Sequence, residues 1–298
     1  MGAYDIVISD QDSEDLRARI AELSGLQSSG VNITRFHDGE FKMRLEKSGM
    51  NGKNVVLVHR LFPNPGDKTL ELLLLCRKLG RDGARIHLVL PYMSYARQDR
   101  EFLEGEIATI GILADILQSC CVGSITTVDM HSAAGLAMFK IPVKNLSASK
   151  LLSDYIVSNG LAPRPVVISP DKGGTERAQI VAKMLSAPCF SLEKHRDRVT
   201  GEVTTDASEI PVKDMNAIII DDMIVSGNST ANAVKIIKGR GASSVTVAVT
   251  HGLFLDNAGK RIMDAGASEI ISTNTLHNEY SKVDVSGMIS ESLLAGMD

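Results

Sequence analysis

Short apolar, β-branched runs alternate with runs of helical period along this chain, and the alternation occurs twice over. In the first half, strand-like stretches at 4–8, 55–58, 86–90 and 125–128 enclose helical stretches at 15–23, 70–79 and 107–117. In the second, strands at 166–168, 217–220, 245–249 and 269–272 are interleaved with helices at 150–156, 176–185 and 231–237. Such alternation builds βαβ units, hence a parallel sheet covered by helices. A chain of 298 residues, 44% of them hydrophobic, has material for two cores. The expected fold is therefore α/β, with two tandem doubly wound parallel-sheet domains.

The two halves align as copies. Residues 54–60 (Asn-Val-Val-Leu-Val-His-Arg) lie on 216–222 (Asn-Ala-Ile-Ile-Ile-Asp-Asp), and Asp67-Lys68-Thr69 lies on Asn228-Ser229-Thr230. The strands at 86–90 and 245–249 then correspond, as do 124–129 and 269–274. An internal duplication is the expectation, with domains at 1–147 and 148–298 and the last helix able to pack on the first domain. The first copy carries His59-Arg60 where the second has Asp221-Asp222. One lobe would then keep a ligand site that the other lacks.

Composition removes several classes of function. A net charge of −4 opposes electrostatic binding to nucleic acid, and the absence of Trp with only 4% aromatics leaves no base-stacking platform. The longest aliphatic block, 72–76, is too short to span a bilayer. The first residues lack a basic region and read directly as a strand, so a secretory signal is not expected. Cys76, Cys120, Cys121 and Cys189 lack zinc-site spacing and are expected to be buried thiols in a reducing cytoplasm.

Chemistry is concentrated where strands end. The apolar run at 217–220 ends in Asp221-Asp222, and a small-residue loop, 225–229, then leads into a helix. In an open parallel sheet ligands sit at the carboxyl ends of strands, and amides at a helix N-terminus suit a phosphate. Paired carboxylates beside such a loop suit the vicinal hydroxyls of a sugar. An acidic strand end followed by an N-cap at Ser229 explains the same pattern, which leaves both readings open. Other strand ends carry the fork donors Arg97, Gln98 and Arg100, His131, and Asp171 before a Gly-Gly pair. Phe36, Asp38, Gly39 and Glu40 form a turn between two short strands. A long charged stretch from Leu192, with Lys194 and Arg196, has the composition of a cationic lid over phosphates.

These motifs, in this order, resemble those of the ribose-phosphate diphosphokinases (phosphoribosyl pyrophosphate synthetases), with the best likeness to archaeal forms. The resemblance runs nearly end to end: Phe-x-Asp-Gly-Glu at 36–40, Tyr-Ala-Arg-Gln-Asp-Arg at 95–100, Val-Asp-Met-His at 128–131, Ser-Pro-Asp-x-Gly-Gly at 169–174, Lys-x-Arg at 194–196 and Asp-Asp at 221–222. It implies domains of phosphoribosyltransferase type, the first without a sugar-phosphate site. The implied reaction moves the β,γ-diphosphoryl group of Mg–ATP to the 1-hydroxyl of ribose 5-phosphate, giving 5-phosphoribosyl 1-diphosphate and AMP. Arg97, Gln98 and His131 would then contact ATP, with Phe36, Asp38, Gly39 and Glu40 supplied by a neighbouring subunit of a homo-oligomer, at least a dimer. His131 and Asp171 would hold Mg2+. Lys194 and Arg196 would be catalytic, with Arg196 also meeting substrate. Asp221 and Asp222 would take the ribose hydroxyls, and Val225, Ser226, Gly227, Asn228 and Ser229 the 5-phosphate.

One departure matters. The family's phosphate loop has a Thr-Gly-Gly-Thr or Thr-Ala-Gly-Thr core, and Ser226-Gly227-Asn228-Ser229 stands there in this chain, after Val225 in place of an acidic or hydroxyl residue. The hydroxyls survive at 226 and 229, and Asn tolerates a left-handed backbone better than most residues. His37 and His195 are minor variations. The altered loop motivates a second reading, a non-catalytic synthetase-associated regulatory protein. A phosphoribosyltransferase would explain the Asp-Asp loop but not the motifs at 36–40 and 97–98.

Overall fold

The computed structural model describes residues 4–196, 203–206 and 210–296; at 193–196 and 203–206 only the backbone is described. The chain forms two compact units, one running to Leu146 and resumed from Val285, the other Ser147–Asp284.

The first unit contains β1 (Ile6–Ser9), α1 (Glu14–Ser24), β2 (Gln27–Arg35), β3 (Phe41–Leu45), β4 (Asn54–Val58), α2 (Pro65–Arg81), β5 (Arg85–Leu90), α3 (Thr109–Ser119), β6 (Val122–Val128), α4 (Ala133–Leu136) and β7 (Val143–Leu146). Its sheet runs β3-β2-β1-β4-β5-β6-β7, parallel except for the β2–β3 hairpin. The second unit holds α5 (Ser149–Ser158), β8 (Pro165–Ser169), α6 (Thr175–Met184), β9 (Cys189–Ser191), β10 (Glu193–Arg196), β11 (Val203–Asp206), β12 (Asn216–Ile224), α7 (Asn228–Gly239), β13 (Ser244–Gly252), α8 (Ala258–Asp264), β14 (Glu269–Thr273) and β15 (Ser281–Val283). Its main sheet, β15-β14-β13-β12-β8-β9, is parallel throughout, and β10 pairs antiparallel with β11 in a ladder of its own. The final helix, α9 (Ser286–Ala295), packs on α1.

Strand β12 shows why the apolar run folds as it does. Ala217 and Ile219 face a core shared with Val234 and Ile237 of α7 and Ile262 of α8, while Ile218 and Ile220 face one shared with Leu152 and Ile156 of α5 and Val181 of α6. Successive side chains point to opposite faces of a strand, so a strand covered on both faces must be apolar at every position. All four of these residues are fully buried.

The two sheets share a register at positions that the sequence alignment of the halves pairs. Asn54 pairs with Arg85 as Asn216 pairs with Ser244, and Val55 pairs with Ile6 as Ala217 pairs with Val166. His87 lies opposite Ser124 as Thr246 lies opposite Glu269. Each sheet reverses its winding once, between β1 and β4 in one and between β8 and β12 in the other. Ligands bind in such crevices, at the carboxyl ends of the strands.

Two expectations need correction. The strand carrying the aspartates does not end at them: β12 runs on to Ile224, because its ladder with β13 continues through Met223–His251 and Ile224–Gly252 after pairing with β8 has stopped at Ile219. The thiols are not uniformly buried. Cys76 and Cys120 are, but Cys121 is exposed and Cys189 partly so. No helix among the described residues is long and apolar enough to cross a membrane.

Candidate active site

In the second unit the β8/β12 crevice gathers the carboxylates. Asp171, just beyond β8, accepts hydrogen bonds from the backbone N–H of Gly173 (3.0 Å) and Gly174 (3.2 Å). That turn lies close against β12. A Cβ on Gly174 would fall 2.7 Å from Ser169 Oγ and 4.0 Å from Asp221 Oδ1, so no side chain fits there. Asp222 is buried, with Arg177 of α6 at 3.8 Å, and its N–H donates to Asp221 Oδ1 at 2.9 Å. Burial, followed by the neighbouring Asp222 carboxylate and then by Asp171, holds the Asp221 carboxyl well above the usual range. A crevice that penalises its own negative charge favours hydroxyl donors and a hard cation.

The loop that follows is aimed by its carbonyls. Ile224 O accepts from Leu253 N (2.9 Å) and Phe254 N (3.2 Å), Val225 O accepts from Leu255 N (2.9 Å), and Ser226 O accepts from the Arg261 guanidinium of α8. Carbonyl and N–H point oppositely across a trans peptide. The N–H groups of Val225, Ser226 and Gly227 therefore face away from segment 253–261 as a set of aligned donors. Gly227, at φ +70°, then opens α7, whose first-turn amides add to the set. A Cβ at Gly227 would sit 3.0 Å from Ala258 Cβ and 3.1 Å from Ala258 O, so α8 presses the loop from behind. Asn228 and Ser229 are exposed in front of it.

In the first unit the corresponding edge carries three segments. At the end of β2 the turn at 36–40 is closed by Phe36 N–Glu40 O (2.8 Å) and by Glu40 N to Asp38 Oδ1 (3.0 Å), with Gly39 at φ +92°. Phe36 is 47% exposed at its tip, with Lys42 Nζ 5.9 Å from its ring centroid. Beyond β5, Tyr95 adopts φ +65°, Gln98 N donates to Tyr95 O (2.8 Å), and Thr109 Oγ1 donates to Gln98 Oε1 (2.6 Å). This turn leaves Arg97 and Gln98 exposed. Beyond β6 stands His131, also exposed. Asp99 joins the last two segments by accepting from Ser132 Oγ, which in turn caps α4 through Gly135 N (3.1 Å).

Two family models match the chain: the N-terminal domain of ribose phosphate pyrophosphokinase over residues 6–121, and the phosphoribosyl synthetase-associated domain over residues 198–294. The ribose-phosphate pyrophosphokinase of Methanobrevibacter smithii is 33% identical over 299 residues, spanning 97% of this chain and 99% of that one. This chain belongs to the ribose-phosphate pyrophosphokinase family. Ribose-phosphate pyrophosphokinase 2 of Archaeoglobus fulgidus is 34% identical over 93% of this chain and 96% of its own. Phosphoribosylpyrophosphate synthetase from Mycobacterium smegmatis superposes with a TM-score of 0.87 at 27% identity, covering 98% of each chain.

Within this pyrophosphokinase frame, the second unit brings together Asp171, Asp221, Asp222 and residues 225–229, while Phe36, Asp38, Gly39, Glu40, Arg97, Gln98 and His131 line the carboxyl edge of the first. The backbone of Lys194 and Arg196 lies in β10, opposite Thr205 and Val203 of β11; their side chains fall outside the described residues. Three positioning residues escaped sequence reasoning: Asp99, Arg177 and Arg261. Asp99 lay inside a quoted motif, and Arg177 stands in the first turn of a helix entering the crevice. Arg261 has no sequence signal at all, since its role depends on α8 folding back against the loop.

Proposed function

We propose that the chain is a ribose-phosphate diphosphokinase that transfers the β,γ-diphosphoryl group of Mg–ATP to the 1-hydroxyl of ribose 5-phosphate, yielding 5-phosphoribosyl 1-diphosphate and AMP. One observation carries the reading: a carboxylate pair at 221–222 beside a loop whose N–H groups at 225–227 face away from segment 253–261. Asp221 and Asp222 accept hydrogen bonds from the ribose hydroxyls. The aligned amides, the start of α7 and the hydroxyls of Ser226 and Ser229 take the 5-phosphate.

The crevice suits magnesium, because Asp171 and Asp221 are oxygen ligands whose mutual repulsion a hard cation relieves. Asp171 and His131 would hold it, and when bound it supplies neutralising charge to the transferring phosphates. Arg97 and Gln98 grip ATP, and the exposed Phe36 with Asp38, Gly39 and Glu40 serves the ATP site of a neighbouring subunit in a cytoplasmic homo-oligomer. Lys194 and Arg196 balance charge developing on the transferring group, for which a loose transition state needs little general-base help.

The test is AMP release from purified protein given Mg–ATP and ribose 5-phosphate. Lys194→Ala is expected to lower turnover by about 10²–10³-fold while ATP affinity holds. Turnover unchanged in that variant removes Lys194 from the catalytic role. The altered loop at 225–229 gives the regulatory reading its one foothold, and ATP binding without AMP release would select it.

A further inference from the structure

The crevice of the first unit, at the duplicated position, is built from different residues. His59 and Arg60 occupy the register positions of Asp221 and Asp222. Arg60 turns away, its guanidinium bound to Asp12 O (2.6 Å) and to both oxygens of Asp15. His59 points inward with Asp10, just beyond β1, and Glu71 from α2, and all three are buried to 1% exposure or less. One ligand-type atom from each lies within 4.8 Å of the others.

The lone pairs here do not satisfy one another. His59 Nε2 is 3.0 Å from the carbonyl oxygen of Lys68, which can only accept, so Nε2 carries the proton. Nδ1 is then a bare lone pair, buried, 3.7 Å from Asp10 Oδ2, and without a hydrogen-bond partner among the described residues. Asp10 Oδ1 is buried and equally lacks one, while Glu71 Oε2, also buried, has the Lys68 ammonium at 3.1 Å as its ion-pair partner. Burial keeps this imidazole neutral by lowering its pKa, with Asp10 working in the opposite direction. A nitrogen lone pair facing carboxylates calls for a cation between them.

Lys68 meets that demand in part. Its Nζ lies 2.7 Å from Asp10 Oδ2, 3.1 Å from Glu71 Oε2 and 2.5 Å from Asp12 Oδ2. Arg35 adds ion pairs to Glu71 (2.6 Å) and Asp67 (3.1 Å). The buried Asp10 and Glu71 thus share Lys68 and Arg35 with the solvent-exposed Asp12 and Asp67. A cavity of about 290 Å³ bordered by Asp12, Arg35 and Lys68 opens the crevice to solvent.

We propose that this crevice is a second ligand site, binding a divalent first-row transition metal through His59 Nδ1, Asp10 and Glu71, with the Lys68 ammonium displaced toward Asp12. Imidazole with carboxylates suits zinc, manganese or cobalt. The His59 N–H held by a backbone carbonyl is how metal-ligating imidazoles are commonly oriented. Nothing in this inference depends on the reaction assigned to the second unit.

The test uses the full-length chain carrying His131→Ala and Asp171→Ala, so that the proposed magnesium position cannot contribute, stripped with chelator and titrated with Co2+. One cobalt per chain is expected by calorimetry, with visible bands of nitrogen–oxygen ligation. Adding His59→Gln should weaken binding at least about tenfold. Adding Lys68→Met instead should tighten it by a similar factor, since the competing ammonium is gone. No cobalt binding, or binding that His59→Gln leaves unchanged, overturns the proposal and makes Lys68 the crevice's permanent cation. If the His59 variant does not fold, Lys68→Met decides: an affinity no tighter than its parent's overturns the proposal too.

Discussion

Gly227→Ala tests the assignment of the phosphate loop most directly, because two independent costs fall on one methyl group. Gly227 has φ +70°, a conformation that costs an L-residue about 1–2 kcal/mol. The new Cβ would meet Ala258 Cβ at 3.0 Å, the Ala258 carbonyl at 3.1 Å and Ile262 Cδ1 at 3.2 Å. Two of these neighbours belong to the start of a packed helix and cannot rotate away, and overpacking of this kind costs about 1–3 kcal/mol. The total of about 2–5 kcal/mol must appear as lost stability or as a displaced loop. If α8 yields, melting falls by roughly 5–15 °C. If the loop yields, the carbonyl ties of residues 224–226 loosen and the KM for ribose 5-phosphate rises, because the amides no longer converge. The assay pairs thermal melting with steady-state kinetics at varied ribose 5-phosphate, using Lys235→Ala as control. Lys235 is exposed on α7 beyond the loop, so that change should move melting by less than about 0.5 kcal/mol equivalent. Gly227→Ala with wild-type melting and wild-type KM would refute the account of a loop pressed between α8 and its ligand.

Two pH-linked outcomes follow from other residues. Asp221→Asn should stabilise the protein by about 1–2 kcal/mol at pH 8 while ribose 5-phosphate affinity falls. Its carboxyl is held above the ordinary range, first by burial and then by Asp222, so the folded state retains a proton that the unfolded chain releases. Wild-type stability must then drop as pH rises above about 4, and the gain in the variant should be smaller at pH 5 than at pH 8; an equal gain at both contradicts the cause. His87 behaves in the opposite sense. Buried between Ser124 Oγ (2.7 Å) and Thr126 Oγ1 (3.0 Å), it has its pKa pushed down to about 4 by burial and secondarily by Lys144. The stability tied to its neutral form is complete above about pH 6.5 and is lost as pH falls toward 4, amounting to about 3 kcal/mol. Urea midpoints across that window should flatten in His87→Gln, and an unchanged slope would show that His87 is not the group responsible.

What the sequence disclosed followed from periodicity. Residues 217–220 announced β12 because a strand buried on both faces has no polar position to spare. The stretch at 70–79 announced α2, which begins five residues earlier because Pro65 occupies its first position. Elements that escaped notice are short or lie at sheet edges. β7 carries Lys144 and Asn145 and is only half-buried, and β9 is three partly buried residues. α8, seven residues long, follows a run of left-handed backbone at Phe254, Asp256 and Asn257 that no apolar pattern announces. At the site, the carboxylates and the loop were legible because they are contiguous. The Asp10, His59 and Glu71 cluster was not, since its members come from just beyond β1, just beyond β4 and from α2.

The duplication also accounts for where the two hairpins stand. In each unit the first strand–helix–strand step ends in an edge strand, β2 in one and β9 in the other, and an antiparallel pairing comes next: β3 on β2, and β10 with β11. The turn at 36–40 and the segment bearing Lys194 and Arg196 each follow directly on that edge strand. Their anchoring differs. β3 is joined to a seven-stranded sheet through five pairs, from Val31–Leu45 to Arg35–Phe41, so the 36–40 turn is held rigidly at the end of a long ladder. Among the described residues β10 and β11 pair only with each other. A two-stranded ladder on its own is marginally stable in water. The two units thus differ in how the antiparallel pair is tied as well as in the exchange of His59-Arg60 for Asp221-Asp222: β3 is bonded into the main sheet of the first, whereas β10 and β11 form a ladder of their own in the second.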